Sequence, residues 1–201
     1  MIKVTNIQKQ YEEAVLKGVD YTFETNQVYL ISGPMGCGKS TLLKIIIGLE
    51  QPTVGSVETD IKPSQFSFNE PWHYLYEGAS VQANINLYQK LFKTPDLLKK
   101  DLITKYQLTS MLKKKVSSLS SGNKKKVSLV CTLMNANMQA LILDEPLTNL
   151  DKDTIEILKN DLKELKPNRT IILTSHQYTE IKDAVDVHLH IESGVLLEGE
   201  Y

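Results

Sequence analysis

The spacing of apolar residues divides the chain into short strands and longer helices. A mostly apolar run at Val28–Ser32 predicts a buried strand, and a glycine-rich turn follows it at once. The next segment, Thr41–Gly48, is apolar on nearly all sides and predicts an internal helix. From about Ser80 to Val116 the apolar residues recur at helical spacing, so we expect a helical insert there.

The second half of the chain alternates strand and helix patterns, beginning with a helix predicted from Asn123 to about Asn137. The other predicted elements are strands at Ile2–Val4, Tyr21–Phe23, Ala140–Leu143, Thr170–Thr174, Val185–Ile191 and Val195–Glu198, and a helix at Lys152–Leu165. Such alternation predicts an α/β fold with a mainly parallel sheet covered on both faces. Ligands of such sheets bind at the carboxyl ends of the strands.

Composition narrows the class of protein. A chain of 201 residues with 41% hydrophobic and 23% charged residues has the size of one globular domain and is not expected to be disordered. Its net charge of −1 argues against a free-standing nucleic-acid binder. No apolar run approaches the roughly 20 residues of a membrane span. With two cysteines and no signal-peptide pattern, we expect a cytoplasmic protein.

The turn after the first buried strand has the pattern G-x-x-x-x-G-K-S of a phosphate-binding loop. Glycines let such a loop wrap around phosphates, and the helix that follows adds its positive end. We expect Lys39 to neutralise the β- and γ-phosphates and Ser40 to bind Mg²⁺, the alternative being an ordinary glycine-rich turn. The residues predicted to surround the nucleotide are Gly33, Pro34, Met35, Gly36, Cys37, Gly38, Lys39, Ser40 and Thr41.

Two carboxylates follow the predicted strand that ends at Leu143. Asp144, at the strand tip, is expected to hold Mg²⁺ directly or through water. Glu145 points in another direction and is expected to polarise an attacking water. The alternative is a solvated acidic turn. Together with the loop, the pair predicts a P-loop ATPase or GTPase.

Further segments resemble the ATP-binding-cassette (ABC) ATPases. Leu119–Asn123, which precedes a helix, is similar to the LSGGQ signature of that family. Asp144–Asp151 is similar to its second acidic motif and the following D-loop, and His176 stands where the family has its switch histidine. Tyr11 matches the aromatic residue that stacks on adenine. Order and spacing agree over essentially the whole chain.

The resemblance implies one ATPase domain over residues 1–201, with a small antiparallel lobe near the N-terminus and a helical subdomain at about 80–135. Two such chains, identical or different, would pair head to tail. Each ATP would then lie between the P-loop of one chain and Ser120 and Gly122 of the other, with His176 on the γ-phosphate. The resemblance also implies separate transmembrane subunits, docking at Asn69–Gly78 and the helical subdomain on the inner face of the membrane. The short chain favours an exporter.

Three residues depart from the family pattern. Ser121 and Asn123 stand where the family has glycine and glutamine. Asn69 occupies the position of the glutamine that contacts Mg²⁺ and the transmembrane partner, but it is one methylene shorter. Slow or partner-dependent hydrolysis would follow. The alternatives are an exposed turn residue for Asn69 and a simple helix cap for Ser120.

Other functions remain open at this point. An ABC ATPase that acts on nucleic acid or ribosomes is the main alternative, although relatives of that kind resemble tandem cassettes or carry long coiled coils. A P-loop small-molecule kinase would leave Ser120–Gly122 and His176 unexplained. The runs Lys113–Lys115 and Lys124–Lys126 are expected to be solvent-exposed, or to contact phosphate or an anionic membrane. His73, His188 and His190 are too scattered to predict a metal site.

Overall fold

Two sheets form the framework of the computed structural model, which describes residues 1–70 and 74–199. The smaller sheet is antiparallel, in the order β2-β1-β4, with β1 at Ile2–Gln10, β2 at Ala14–Phe23 and β4 at Val54–Thr59. The larger sheet has the order β5-β6-β7-β3-β8-β9 and is parallel except for β9. Its strands are β3 (Gln27–Ser32), β5 (Phe66–Asn69), β6 (Ala140–Leu143), β7 (Thr170–Thr174), β8 (Val187–Glu192) and β9 (Val195–Glu198).

Helices connect and cover these strands. They are α1 (Lys39–Ile46), α2 (Val81–Phe92), α3 (Asp96–Lys105), α4 (Ser121–Leu133), α5 (Lys152–Leu165) and α6 (Tyr178–Ile181). The chain forms α2, α3 and α4 between β5 and β6, so they interrupt the run of parallel strands. No helix in the described part of the chain combines the length and hydropathy needed to cross a membrane.

The larger sheet is buried on both faces. In β3, Val28 and Leu30 enter a core shared with α2–α5, whereas Tyr29 and Ile31 enter a second core shared with the smaller sheet and α1. Strands β6 and β7 divide their side chains between the two cores in the same way. Burial on both faces explains why these strands are continuous apolar runs rather than alternating ones.

The predicted α/β fold with a mainly parallel sheet is confirmed, and the bounds of β6, β7, β9 and α5 are as predicted. The prediction is wrong for the N-terminal strands, which are far longer than Ile2–Val4 and Tyr21–Phe23. It also missed β4 and β5. The smaller sheet has one solvated face, so polar residues interrupt its apolar pattern. Helix α4 begins two residues earlier than predicted, because Ser120 caps it, and it ends at Leu133.

Candidate active site

Three neighbouring strands deliver the chemical groups. Strands β6, β7 and β3 lie side by side and run in parallel, so their carboxyl ends meet at one edge of the sheet. The phosphate-binding loop follows β3, Asp144 and Glu145 follow β6, and His176 follows β7 by two residues. Residues that are far apart in the chain therefore meet at one site, as expected for an open parallel sheet.

The loop after β3 requires glycine at two of its positions. Gly33 has φ 138° and Gly38 has φ 108°, in the left-handed region that side chains disfavour. A Cβ atom at Gly33 would lie 2.7 Å from the Ile191 carbonyl oxygen, and one at Gly38 would lie 2.7 Å from Leu16 Cδ2. The backbone can therefore curl tightly ahead of α1, whose N-terminal amides point toward the loop.

Lys39 places a buried cation inside that loop. It is the first residue of α1 and is 6% exposed. Its Nζ donates hydrogen bonds to the carbonyl oxygens of Gly33 at 2.8 Å and Pro34 at 3.0 Å, and it lies 4.0 Å from Cys37 Sγ. A buried ammonium surrounded by loop carbonyls is well placed to pair with the phosphates of a bound nucleotide.

Thr174 orients both carboxylates from the end of β7. Its hydroxyl donates to Asp144 Oδ1 at 2.6 Å and accepts the backbone N–H of Glu145 at 2.9 Å. Asp144 is 1% exposed, and its N–H donates to the Asn69 carbonyl oxygen at 2.8 Å. Thr174 was not among the predicted site residues, although a polar residue at the end of a buried strand is a signal for such a role.

Glu145 and His176 form a pair at the mouth of the site. His176 Nε2 lies 3.1 Å from Glu145 Oε1, with 19% of the glutamate and 47% of the histidine side chain exposed. Glu145 also has φ 46°, a backbone conformation that costs about 1–3 kcal/mol for a residue with a side chain and is often found at functional sites. A carboxylate in this position can accept a proton from water, and the imidazole lies directly beside it.

A cavity of about 650 Å³ opens between the loop and this pair, within the usual size range of small-ligand sites. Its lining includes most of the predicted site, together with Val15 and Thr148, which were not predicted. The predicted residues that line it are Tyr11, Met35, Gly36, Gly38, Lys39, Ser40, Thr41, Glu145 and His176. Gly33, Pro34 and Cys37 complete the same loop outside this lining, and Asp144 is buried at the end of β6.

Tyr11 lies at the rim of the cavity, at the turn between β1 and β2. The residue is 53% exposed, and its hydroxyl hydrogen-bonds to Glu50 Oε1. Lys9 Nζ lies 5.0 Å from the ring centroid. One end of the tyrosine is therefore anchored while its ring stays accessible, as a base-stacking residue requires.

The segment Ser120–Gly122 does not line this cavity. Ser120 is the N-cap of α4, and its hydroxyl accepts the Asn123 N–H at 3.3 Å. A Cβ atom at Gly122 would lie only 2.5 Å from the Asn149 carbonyl oxygen. Lys126, one turn further along α4, pairs with Asp151 at 2.7 Å. The start of α4 thus packs against the loop that follows Glu145.

Comparison with known proteins agrees with this geometry. The family model described as "ABC transporter" matches residues 16–148. The chain belongs to the ABC transporter family. It is therefore an ATP-binding protein and an ATPase of the P-loop ABC type, and the family assignment made from its motifs is confirmed.

Individual ABC proteins match most or all of the chain. The lantibiotic transport ATP-binding protein SrtF of Streptococcus pyogenes is 29% identical, over 100% of this chain and 91% of SrtF. The spermidine/putrescine import ATP-binding protein PotA of Legionella pneumophila is 30% identical, over 96% of this chain but 58% of PotA. The dimeric cassette MJ0796, solved with ADP and Pi, has 23% identity and a TM-score of 0.85, covering 100% of this chain and 98% of that one.

Asn69 differs from its prediction. It was expected to contact Mg²⁺, or else to be an exposed turn residue, but it is 2% exposed at the end of β5. Its Nδ2 donates to Ser128 Oγ at 2.8 Å and Thr132 Oγ1 at 3.0 Å. Its Oδ1 accepts from Lys125 Nζ at 3.0 Å. The expectation of an exposed turn residue is therefore wrong. Three hydrogen bonds to α4 hold the short amide, which does not line the cavity, and its contact with Mg²⁺ stays a prediction.

The second lysine run also differs from its prediction. Lys125 and Lys126 are 2% and 8% exposed, because this side of α4 packs on the end of β5 and against the loop that contains Asp151. Burial lowers the pKa of Lys125 to about 8, against the raising effect of the Asp144 and Glu145 carboxylates. Hydrogen bonding from Lys126 lowers the pKa of Asp151 to about 2. The run Lys124–Lys126 is therefore not a solvent-exposed face, whereas Lys113–Lys115 is exposed as predicted.

Proposed function

We propose that this chain is the ATP-hydrolysing subunit of a transporter whose membrane-spanning subunits are separate chains. The observation that carries the proposal is the Glu145–His176 pair, 3.1 Å apart, at the mouth of a cavity that also contains Lys39 and Ser40. A base, a phosphate-pairing cation and a Mg²⁺-binding hydroxyl thus converge in one place. The whole chain would act as one ATPase domain, with residues of about 80–135 as its helical subdomain.

The residues of the cavity would hold ATP along its length. Tyr11 would stack on adenine, and the loop amides with Lys39 would bind the phosphates. The Ser40 hydroxyl and the Asp144 carboxylate are the hard oxygen donors that Mg²⁺ prefers, and Mg²⁺ uses few protein ligands beside phosphate oxygens. When bound, Mg²⁺ would neutralise charge on those phosphate oxygens.

Hydrolysis would depend on Glu145. Its carboxylate would accept a proton from the attacking water while the water oxygen bonds to the γ-phosphorus. The bond from that phosphorus to the bridging oxygen would break, and ADP and phosphate would form. Thr174 would fix the positions of the Asp144 side chain and the Glu145 backbone through its hydrogen bonds. His176 would orient the glutamate and contact the γ-phosphate.

A second chain would complete the site. Ser120 and Gly122 lie outside the cavity of their own chain, yet they offer a hydroxyl and an amide at a helix start, which suit an anion. In a head-to-tail pair they would contact the ATP of the partner. The MJ0796 cassette, which shares the fold, is dimeric, and this supports the pairing of two chains. The partner would be a second copy of this chain or a related subunit.

An apolar groove offers a docking place for the membrane-spanning subunits, on the inner face of the membrane. Its volume is about 560 Å³, and its lining consists of Tyr74, Leu75, Tyr76, Leu87, Tyr88 and Leu91. These residues belong to the predicted docking loop, of which Pro71–His73 lie outside the described residues, and to α2. Exposed apolar patches of this kind often mark protein interfaces. We propose export as the direction, since the import protein PotA is matched over 58% of its length, whereas the lantibiotic transport protein SrtF is matched over 91%.

The decisive experiment is Glu145→Gln. Loss of the base should slow hydrolysis by about 10²–10⁴-fold while ATP binding survives. A persistent ATP should then convert monomer into dimer, measured by size-exclusion chromatography with light scattering, in ATP but not in ADP. Adding Ser120→Arg should abolish the dimer without affecting monomer ATP binding. A Glu145→Gln variant that binds ATP yet stays monomeric at high concentration would exclude the homodimer.

The alternative role, action on nucleic acid or ribosomes, makes a different prediction. A transporter subunit should co-purify with a multi-spanning membrane protein when the tagged chain is extracted from membranes in mild detergent. Substitution of Leu87 by glutamate in the groove should abolish that co-purification while leaving ATPase activity of the isolated chain unchanged. Recovery of ribosomal proteins or RNA instead would favour the alternative.

A further inference from the structure

Charge is strongly segregated along the chain despite a net charge near zero. Residues 80–126, which include α2 and α3, carry eleven lysines against two aspartates, whereas the rest of the chain carries 12 basic and 22 acidic residues. The helical region is thus strongly positive and the remainder strongly negative. Such separation produces a directional electrostatic field that orients a protein toward an anionic surface.

Five of the eleven lysines form ion pairs or hydrogen bonds with side chains of the same chain. Lys99 pairs with Asp96, Lys105 with Asp161 and Glu164, Lys124 with Glu77 and Lys126 with Asp151, while Lys125 donates to Asn69. The other six are exposed and form no ion pair within residues 1–70 and 74–199. We call these six the lysine surface: Lys90, Lys93, Lys100, Lys113, Lys114 and Lys115.

The lysine surface flanks α2 at both ends. Lys90 and Lys93 stand at its C-terminal end, and Lys100 lies on the following helix, α3. At the other end, Lys115 forms a bridge with Ser80, the N-cap of α2, and the Lys114 carbonyl accepts the Val81 N–H at 2.9 Å. Twelve residues of α2 separate the two groups by about 18 Å. The positive charge is therefore spread over an extended area rather than concentrated in a pocket.

Exposed leucines accompany these lysines. Leu97, one turn before Lys100 on α3, is 71% exposed, and Leu91, beside Lys90, is 67% exposed. The connection between α2 and α3 is held in place, because the buried Thr94 hydroxyl donates to the carbonyl oxygen of Met134, the C-cap of α4, at 2.7 Å. Leu91 also lines the docking groove, so the lysine surface borders the place proposed for the membrane-spanning subunit.

We propose that the lysine surface, with Leu97, binds directly to an anionic lipid bilayer. Lysines attract anionic headgroups, and leucines beside them can enter the headgroup–acyl boundary. Leucine gives no comparable benefit on the phosphates of nucleic acid. The inference goes beyond the proposed function, since it requires no transmembrane partner.

The test uses the full chain and phosphatidylcholine vesicles with or without phosphatidylglycerol, separated by flotation. Binding should require phosphatidylglycerol and weaken at high salt. Each lysine is worth about fivefold in partitioning, so Lys90, Lys93 and Lys100 changed together to glutamine should lower it about hundredfold. The triple change of Lys113, Lys114 and Lys115 should have a similar effect. The matched control changes Lys3, Lys17 and Lys163, which are exposed outside the helical region, and should bind as the parent does.

Variants of exposed leucines distinguish binding to a bilayer from binding to other anionic molecules. Leu97→Ser should reduce vesicle binding by up to about tenfold, whereas Leu49→Ser, an equally exposed leucine next to α1, should not. ATP hydrolysis should be unchanged in all these variants, so a failed binding assay is distinct from a failed ATPase assignment. Equal losses in the control triple, or no preference for phosphatidylglycerol, would overturn the proposal. Tighter binding to DNA or polyglutamate than to vesicles would also overturn it.

Discussion

The phosphate-binding loop and the ABC signature segment have the same kinds of residue at a helix start, but only the loop faces catalytic residues of its own chain. Each contains glycine and serine at the start of a helix, α1 for the loop and α4 for the signature. The loop faces Glu145 and His176 of its own chain across a cavity. The signature serine instead caps its own helix and lies outside that cavity. A helix start is thus only half of a phosphate site. The catalytic half comes from other strands of the same chain for the loop, and under the proposed function it would come from a partner chain for the signature.

The glycines of the two segments are needed for different reasons. Gly33 and Gly38 adopt backbone conformations that side chains disfavour, so the constraint is local. Gly122 has no such conformation, and its constraint is the Asn149 carbonyl oxygen lying where a Cβ would come within 2.5 Å. Motif glycines can therefore encode backbone shape in one place and a tertiary contact in another.

The role of the phosphate-binding loop is tested most strongly by substitution of Lys39. Lys39→Ala removes the buried counter-charge of the phosphates, so we expect hydrolysis to fall by about 10³-fold or more and ATP binding to weaken. Steady-state phosphate release and nucleotide titration measure both. Lys44→Ala, on the same helix but outside the cavity lining, is the control and should keep most activity. Parent-like hydrolysis by Lys39→Ala would refute the assignment of this loop.

Gly122→Ala tests the tertiary contact of the signature segment, at the start of α4. The added methyl group meets the Asn149 carbonyl oxygen, so the start of α4 must shift, at a cost of about 1–3 kcal/mol in unfolding free energy. Urea denaturation measures it. Gly78→Ala is a matched control, because a Cβ there meets nothing within 4 Å. If the two variants were equally stable, the packing of α4 against this loop would be wrong.

Thr174→Val sharpens the account of the carboxylates. Valine keeps the shape of threonine but removes the hydroxyl that serves Asp144 and the Glu145 N–H. We expect a loss of about 1–3 kcal/mol in stability from the unsatisfied buried groups, together with lower kcat. Thr174→Ser retains the hydroxyl and should recover most of the activity. Equal kcat values for the valine and serine variants would argue against an orienting role.

The smallest expected effect concerns Asp151, which joins the signature helix to the loop after Glu145. Its pKa is lowered from an ordinary 3.8 to about 2, chiefly by Lys126, so its stabilisation is present above about pH 4 and is lost as pH falls toward 2. Asp151→Asn preserves the helix cap but removes the charge, with an expected cost near pH 7 of about 1 kcal/mol or less for this half-exposed group.

Denaturation at a series of pH values measures the Asp151 effect. The stability difference between parent and Asp151→Asn should shrink between pH 4 and pH 2, because the parent then loses its charge as well. The control is Asp153→Asn. Asp153 lies two residues after Asp151, in the first turn of α5, and forms no ion pair among the described residues. A difference that stays constant over this range would show that the charge of Asp151 does not stabilise the fold.

Much of the site could be predicted from the sequence because its chemistry is local. The turn from Gly33 to Ser40 contains its own glycines, lysine and following helix, and Asp144 and Glu145 directly follow an apolar strand. Strands buried on both faces are continuous apolar runs, so β3, β6 and β7 could be predicted, and the alternation with helices predicted that they are parallel. The order of the strands in the sheet was not predicted. Local spacing thus determined the fold class and the loop.

Only the tertiary structure decided which polar groups meet. Lys113–Lys115 and Lys124–Lys126 are identical tripeptides, yet the first is exposed in a loop and two residues of the second are buried where α4 packs on the sheet. The same packing turns Asn69 toward α4 rather than toward the cavity. It likewise brings Thr174 to Asp144 across 30 residues. The burial and hydrogen bonds of a polar side chain depend on neighbours distant in sequence, which local spacing does not encode.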